Sequence, residues 1–161
     1  MKITKMKKVL IALDYDPTAQ KVAETGFSLA KTMDAEVILL HVIADSTYYS
    51  TLEYSPIVGY LDFSITDISH ILEPDGLKNA TKHFLNKVKN HLGDETIQTI
   101  IKEGDFAETI IKAAKNLKVD IIVLGSHSRK WLENILMGSV TEKVLHHASI
   151  PLLIIPTKKR D

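Results

Sequence analysis

The chain has 161 residues, of which 45% are hydrophobic and 25% are charged, so it has the size and composition of one globular domain with a substantial core. Twenty basic residues balance twenty acidic ones, and this balance gives no overall field that would favour nucleic acid or an anionic membrane as a partner. Cysteine is absent, which excludes disulfides and thiol chemistry, and the N-terminal apolar run is too short for a signal peptide, so we expect a cytoplasmic protein with a single domain over residues 1–161.

The first two predicted strands are apolar runs joined by a helix. Residues 9–13 (VLIAL) form an uninterrupted aliphatic run before Asp14, as expected of a strand covered on both faces. Asp16 and Pro17 have the residue types of an N-cap and a first helical position, and apolar residues then recur at helical spacing. Residues 36–43 (EVILLHVI) repeat the buried-strand pattern. The three elements predict a right-handed βαβ unit and therefore a parallel sheet.

Periodicity is lost over residues 44–74, a stretch rich in Ser, Thr, Asp and aromatic residues that holds four of the five tyrosines. Loops of this length are uncommon in compact domains, and they usually have a function or are partly disordered. Two interpretations remain open, namely a surface excursion without a specific role and a lid or partner-binding surface.

The second half of the chain continues the alternation of helices and strands. A helical stripe over residues 77–92 is stopped by Gly93, and the alternating residues 96–102 predict a strand near an edge of the sheet. Asp105 and Glu108 form a capping box for a third helix. Five strands alternating with four helices predict a doubly wound α/β fold.

The stretch over residues 123–141, VLGSHSRKWLENILMGSVT, has the pattern of a strand end, a loop and a helix N-terminus. Gly125 and Gly138 stand at its corners, where glycine allows a positive φ or a close approach of the backbone to a ligand. Ser139, followed three residues later by Glu142, is predicted to cap the helix. The exposed N–H groups of a starting helix attract anions, so this stretch predicts a phosphate site.

The same stretch resembles the signature of the universal stress protein family, G-2x-G-9x-G-[S/T]. Gly125, Ser128 and the pair Gly138-Ser139 stand at the positions of that pattern, with serine in place of the middle glycine. The resemblance continues in VLIALDYDPTA near the start, LLHVI in the middle and GSVTEKVLHHASIPLLIIP at the end. It implies a five-stranded parallel sheet of order 3-2-1-4-5 with helices on both faces, of the adenine nucleotide alpha hydrolase-like type. In that order the ends of strands one and four meet at a crevice, which brings Asp14 close to Gly125.

The resemblance also implies an adenine-nucleotide site, with ATP or AMP as the ligand and Mg²⁺ bound only through the phosphates. It places Asp14 against ribose or adenine and Val42 in the adenine slot. The other residues implied to line the site or to contact ribose and phosphates are Ala12, Leu13, Leu124, Gly125, His127, Ser128, Arg129, Gly138, Ser139 and Val140. Other interpretations remain open: Asp14 as a helix cap, Val42 as strand packing, and the polar loop residues as solvated side chains.

Ser128 is the departure from the family pattern, and it has two opposing effects. If the family conformation needs a positive φ at this position, serine is strained by on the order of 1 kcal/mol. Its hydroxyl, in contrast, can donate a hydrogen bond to a phosphate oxygen. We expect nucleotide binding to persist, with the number of phosphates left open.

No motif for fast catalysis is present in the sequence. It lacks the P-loop pattern GxxxxGK[ST], the GxSxG elbow, the HExxH zinc motif and any cysteine nucleophile. The adjacent His146 and His147 point apart on a helix, so a shared metal is not expected. The leading hypothesis is an adenine-nucleotide-binding dimer with a regulatory or stress-response role. The alternatives are a scaffold that recruits a protein partner without binding nucleotide, and a slow ATP hydrolase.

The last apolar run, residues 150–156 (IPLLIIP), predicts an edge strand, because proline at both ends is tolerated there. An uncovered edge with this composition is an aggregation hazard. Pairing with the same strand of a second copy would cover it by two-fold symmetry, and the resembled family commonly dimerises in this way. We therefore expect a homodimer whose interface contains Leu152, Leu153, Ile154 and Ile155.

Overall fold

A computed structural model describes residues 4–14, 18–44, 75–126 and 139–157. Within these ranges it contains strands and helices in the alternating order that the sequence predicts. They are β1 (Lys8–Ala12), α1 (Ala19–Thr32), β2 (Glu36–Ile43), α2 (Gly76–Leu92), β3 (Gln98–Glu103), α3 (Phe106–Asn116), β4 (Ile121–Gly125), α4 (Ser139–His147) and β5 (Leu152–Ile155). The predicted excursion lies, apart from Ala44, outside the described residues, as do Asp16 and Pro17.

The five strands form one parallel sheet in the order β3-β2-β1-β4-β5. β1 pairs with β2 on one side, where Ile11 is opposite Leu39, and with β4 on the other side, where Ile11 is opposite Val123. The predicted fold class and strand order are therefore confirmed. The carboxyl ends of β1 and β4 form the switch point of the sheet, which is where open α/β sheets bind their ligands.

Two apolar cores cover the sheet, one on each face. The first core holds Ile11 and Leu39 together with α1 and α2, including Phe84. The second core holds Leu10 and Leu40 together with α3 and α4. Successive residues of a strand point to opposite faces, so the consecutive aliphatic residues 9–12 of β1 and 37–40 of β2 fill both cores. Each fully buried side chain of this kind stabilises the fold by about 1.5–3 kcal/mol.

Two helix ends follow the local sequence as predicted. The Asp105 carboxylate accepts a hydrogen bond of 3.0 Å from the backbone N–H of Glu108, which caps α3. Gly93 ends α2 with a φ of 70°, a conformation that glycine adopts without steric cost.

Three predicted boundaries differ from the structure. β3 begins at Gln98, because the Asp94 carboxylate accepts hydrogen bonds from the backbone N–H and the hydroxyl of Thr96 and holds that residue in a turn. Ser139 is the first residue of α4 rather than its cap, so the predicted capping role is wrong. α1 begins at Ala19, and the cap position is occupied by a threonine, Thr18, that makes no side-chain cap bond.

Candidate ligand-binding site

A cavity of about 170 Å³ opens beyond the carboxyl ends of β2, β1 and β4, at the switch point of the sheet. Eight residues that the sequence and the family resemblance predict for a ligand site line this cavity, namely Ala12, Leu13, Asp14, Val42, Leu124, Gly125, Ser139 and Val140. The structure thus brings a carboxylate, apolar strand ends and the start of α4 together in one place. The identity of the ligand stays a prediction.

Four predicted site residues lie outside the described ranges, namely His127, Ser128, Arg129 and Gly138. Their proposed contacts with ribose and phosphates, and the effect of serine in place of the motif glycine, stay predictions. The structure describes the residues on either side of 127–138, namely the end of β4 and the start of α4. Their hydrogen bonds show how the two ends of this stretch are attached to the fold.

One side-chain hydrogen bond joins the start of α4 to the end of β4, and two further bonds join the end of β4 to the end of β5 and to Thr157. Thr141, in the first turn of α4, donates a hydroxyl hydrogen bond of 2.9 Å to the backbone carbonyl of Gly125. The Ser126 N–H donates to the carbonyl of Ile155 at 2.9 Å, and the Ser126 hydroxyl oxygen accepts from the Thr157 N–H at 3.1 Å. The N–H groups of the first turn of α4 therefore lie close to the end of β4, as a phosphate site between the two elements requires.

Gly125 is a glycine because of close packing. A Cβ atom at this position would lie 3.0 Å from Cγ2 of Val22 and 3.1 Å from Cγ2 of Thr157. Its φ lies outside the left-handed region. The sequence predicts either a positive φ or a close approach to a ligand, whereas the structure shows a close approach to the protein's own side chains.

His41 is a buried histidine in β2 that contacts the backbone beside Asp14. Its Nδ1 donates a hydrogen bond of 2.7 Å to the carbonyl oxygen of Leu13, since a carbonyl can only accept. The ring also meets Phe84 edge-on, with 6.1 Å between the ring centroids. Burial lowers the pKa of His41 to about 4 because desolvation disfavours the cation, although the bond to Leu13 acts in the opposite direction. The ring is therefore neutral near pH 7, and it holds the end of β1 against β2.

The sequence did not predict the other eight residues that line the cavity. The additional lining residues are Thr18, Ala19, Val22, Leu40, His41, Phe106, Ile110 and Thr141. Most of them are apolar and recur at strand or helical spacing, which is also the pattern of core residues. Thr141 carries the clearest local signal, because it is a polar residue two positions after Ser139 on the buried side of a helix.

The described part of the chain holds no group of three or more histidine, aspartate or glutamate side chains that could bind a metal ion. None of its helices is long and apolar enough to cross a bilayer.

Comparison with known proteins relates the sequence and the fold to one family. The model of the universal stress protein family matches residues 5–156. The chain belongs to the universal stress protein family. This universal stress protein is 34% identical over 157 residues to Universal stress protein MJ0577 of Methanocaldococcus jannaschii, with 94% of this chain and 96% of the relative covered. The sequence resemblance is therefore confirmed.

Two solved structures share the fold of this universal stress protein. The structure of MJ0577 matches with a TM-score of 0.68 at 29% identity, and the match covers 98% of this chain and 100% of that chain. The structure of a universal stress protein in complex with cAMP matches with a TM-score of 0.61 at 15% identity, covering 96% of this chain and 100% of that chain. At 15% identity the second likeness shows the fold alone.

Proposed function

We propose that this universal stress protein binds an adenine nucleotide, AMP or ATP, in the cavity at the ends of β1, β2 and β4. The observation that carries the proposal is the convergence of eight predicted site residues on that cavity. A nucleotide consists of a flat base, a ribose with hydroxyl groups and charged phosphates. The cavity offers a suitable wall for each of these parts.

The described walls match the three parts of a nucleotide by their chemistry. Val42 and Leu124, each 4% exposed, give an apolar surface for the base. Asp14 is half-buried at the cavity, where a carboxylate can accept hydrogen bonds from ribose hydroxyls. Ser139 and Val140 begin α4, and the N–H groups of a first helical turn favour phosphate oxygens.

A relative of the same fold supports the adenine part of the proposal. A universal stress protein has been solved in complex with cAMP, a ligand that contains adenine, ribose and phosphate. AMP and ATP contain the same three parts, and Mg²⁺ is expected only on the phosphates of ATP. We propose a regulatory role in the cytoplasm rather than fast catalysis, because the sequence lacks the motifs of the common hydrolytic routes.

Isothermal titration calorimetry with AMP and with ATP tests the proposed function. We expect saturable binding and a rise in Tm, since a ligand that binds the folded state stabilises it. Asp14→Ala is expected to weaken binding by about tenfold or more, because a hydrogen bond to a charged group contributes roughly 1.5–3 kcal/mol. Asp75→Ala is the matched control, because Asp75 is exposed and makes no side-chain cap bond to α2. No heat and no thermal shift at millimolar nucleotide would refute the proposal.

We also propose that two copies of the chain pair through β5. β5 is an edge strand that pairs with β4 on one side. Leu152, Leu153 and Ile154 are half-buried, and Ile155 is buried. An apolar edge of this kind promotes aggregation unless something covers it. A symmetric contact between the β5 strands of two copies would cover it.

A further inference from the structure

The cavity has an apolar wall to which α3 contributes. Ile110 of α3 and Leu40 and Val42 of β2 belong to one buried cluster, and Phe106 packs against that cluster. All four residues line the cavity. The polar side chains of the lining are those of Asp14, Thr18, His41, Ser139 and Thr141. His41 also belongs to β2, but its ring meets Phe84 of the first core, on the opposite face of the sheet.

α3 and β2 each place two residues of this apolar wall on one face. Phe106 and Ile110 are one helical turn apart, so their side chains lie on the same face of α3. Asp105 caps that turn through its hydrogen bond with the Glu108 N–H, which holds the start of the helix in place. Leu40 and Val42 of β2 are two positions apart in the strand, so their side chains lie on the same face of the sheet.

Phe106 differs from the phenylalanines that pack away from the cavity. Phe84 is 0% exposed in the first core, whereas Phe106 is half-buried and lines the cavity. Phe27 of α1 is also half-buried, but it packs against the first core, and the Lys31 ammonium lies 5.3 Å from its ring centroid. Among the described lining residues, Phe106 is the one with a phenyl ring.

We propose that Phe106 and Ile110 form a specificity wall for the base of the bound nucleotide, with the Phe106 ring in contact with the heteroaromatic ring. This inference rests on the proposed nucleotide-binding function and names the part of the ligand that determines affinity. A phosphate placed against this wall would lose hydration without gaining a hydrogen-bond donor. A flat base gains apolar burial and ring contact there. A sugar phosphate without a base is therefore a weak ligand.

Calorimetry with AMP and with ribose 5-phosphate tests the specificity wall. The wild-type protein is expected to bind AMP at least about tenfold more tightly than ribose 5-phosphate, given the contribution of base–aromatic contact. Phe106→Ala is expected to weaken AMP binding by about tenfold or more and to change ribose 5-phosphate binding by less than about twofold. Phe106→Tyr keeps the ring and is expected to retain the AMP affinity within about threefold.

Phe27→Ala is the matched control, because it removes a half-buried phenyl ring from another helix. It is expected to lower Tm and to leave the AMP affinity unchanged. If Phe106→Ala does not fold, Phe106→Leu replaces it, since leucine keeps an apolar side chain and removes the ring. For this variant we expect a loss of AMP affinity of about threefold or more.

The outcomes separate this inference from the proposed function. Equal AMP affinity in the wild-type protein and the Phe106 variants would overturn the specificity wall and leave nucleotide binding in place. Equal losses for AMP and ribose 5-phosphate would also overturn the wall, because they would show a general structural effect. Wild-type protein that binds neither AMP nor ATP would overturn both proposals.

Discussion

At the residue scale, His41 places an ionisable ring inside an apolar core. Its pKa is about 4 in the folded protein, compared with a reference value of 6.5. Between these values the unfolded chain binds a proton that the folded protein excludes, so the free energy of unfolding decreases as the pH falls from about 6.5 to about 4. Above about pH 6.5 the buried ring of His41 does not reduce the free energy of unfolding. Between about pH 6.5 and about pH 4 the reduction grows to on the order of 3 kcal/mol.

The first prediction concerns this pH dependence. We expect the free energy of unfolding, measured by urea denaturation, to decrease between about pH 7 and about pH 4.5, and His41→Leu to flatten part of that decrease. The variant should be less stable at neutral pH by about 1–3 kcal/mol, because the Leu13 carbonyl loses its donor. An unchanged slope in His41→Leu would contradict the role of the buried ring.

The second prediction concerns the crowding around Gly125. An added Cβ would meet Val22 and Thr157 at 3.0 and 3.1 Å, so Gly125→Ala should lower the free energy of unfolding by about 1–3 kcal/mol. Val22→Ala removes one of the crowding methyl groups, and the double variant should therefore lose less than the sum of the two single changes. A double-mutant cycle in urea measures this coupling. Strictly additive losses would argue against crowding as the reason for glycine.

At the element scale, one buried hydroxyl attaches α4 to β4. Thr141 is 5% exposed and donates to the Gly125 carbonyl, whereas Thr25 makes a similar bond of 2.8 Å to the Lys21 carbonyl on the exposed face of α1. Thr141→Val should lower the free energy of unfolding by about 1–3 kcal/mol, because the carbonyl of the half-buried Gly125 loses the hydroxyl of a buried threonine as its donor. Thr25→Val should change it by less than about 0.5 kcal/mol, because water replaces the hydroxyl. Urea denaturation compares the two variants, and equal losses would contradict this account.

The elements were predictable where their signals are local. An uninterrupted aliphatic run identified β1, and a mainly apolar run that contains His41 identified β2. The residue types at Asp105 and Gly93 identified two helix ends. Ser139, the predicted cap of α4, is instead its first helical residue. A sequence pattern locates a helix end only to within one or two residues. Phe106 and Ile110 have the spacing of core residues, so only the folded arrangement shows that they line the cavity.

At the scale of the whole molecule, β5 is an edge strand of the sheet that the described residues form, and this edge leads to a prediction about assembly. Ile154 is half-buried and belongs to neither described core. We expect the wild-type protein to be a dimer at micromolar concentration, measured by size-exclusion chromatography with light scattering, and Ile154→Lys to be a monomer, because a charge in the centre of a paired apolar edge is costly. Leu145→Lys is the control, because Leu145 lies on α4 and is 47% exposed. A monomeric wild-type protein would contradict the proposed interface.

The strand order could not be derived from the elements themselves. Apolar runs and helical stripes describe one element at a time and do not say which strands are neighbours. The family resemblance supplied the order, and the structure confirms it. The meeting of Asp14 and Gly125 at one cavity follows from that order, because it makes β1 and β4 adjacent.

The central position of β1 affects the order in which segments of the molecule unfold locally. β2 and β4 flank this strand, and Val9, Leu10 and Ile11 are 0% exposed. Segments enclosed on all sides exchange their amide hydrogens last, after edges and outer helices have already fluctuated. Asp14, two residues beyond the end of β1, is thereby attached to the part of the chain that we expect to exchange most slowly. We expect the proposed ligand contact of Asp14 to persist at temperatures at which the edge strand β3 already frays.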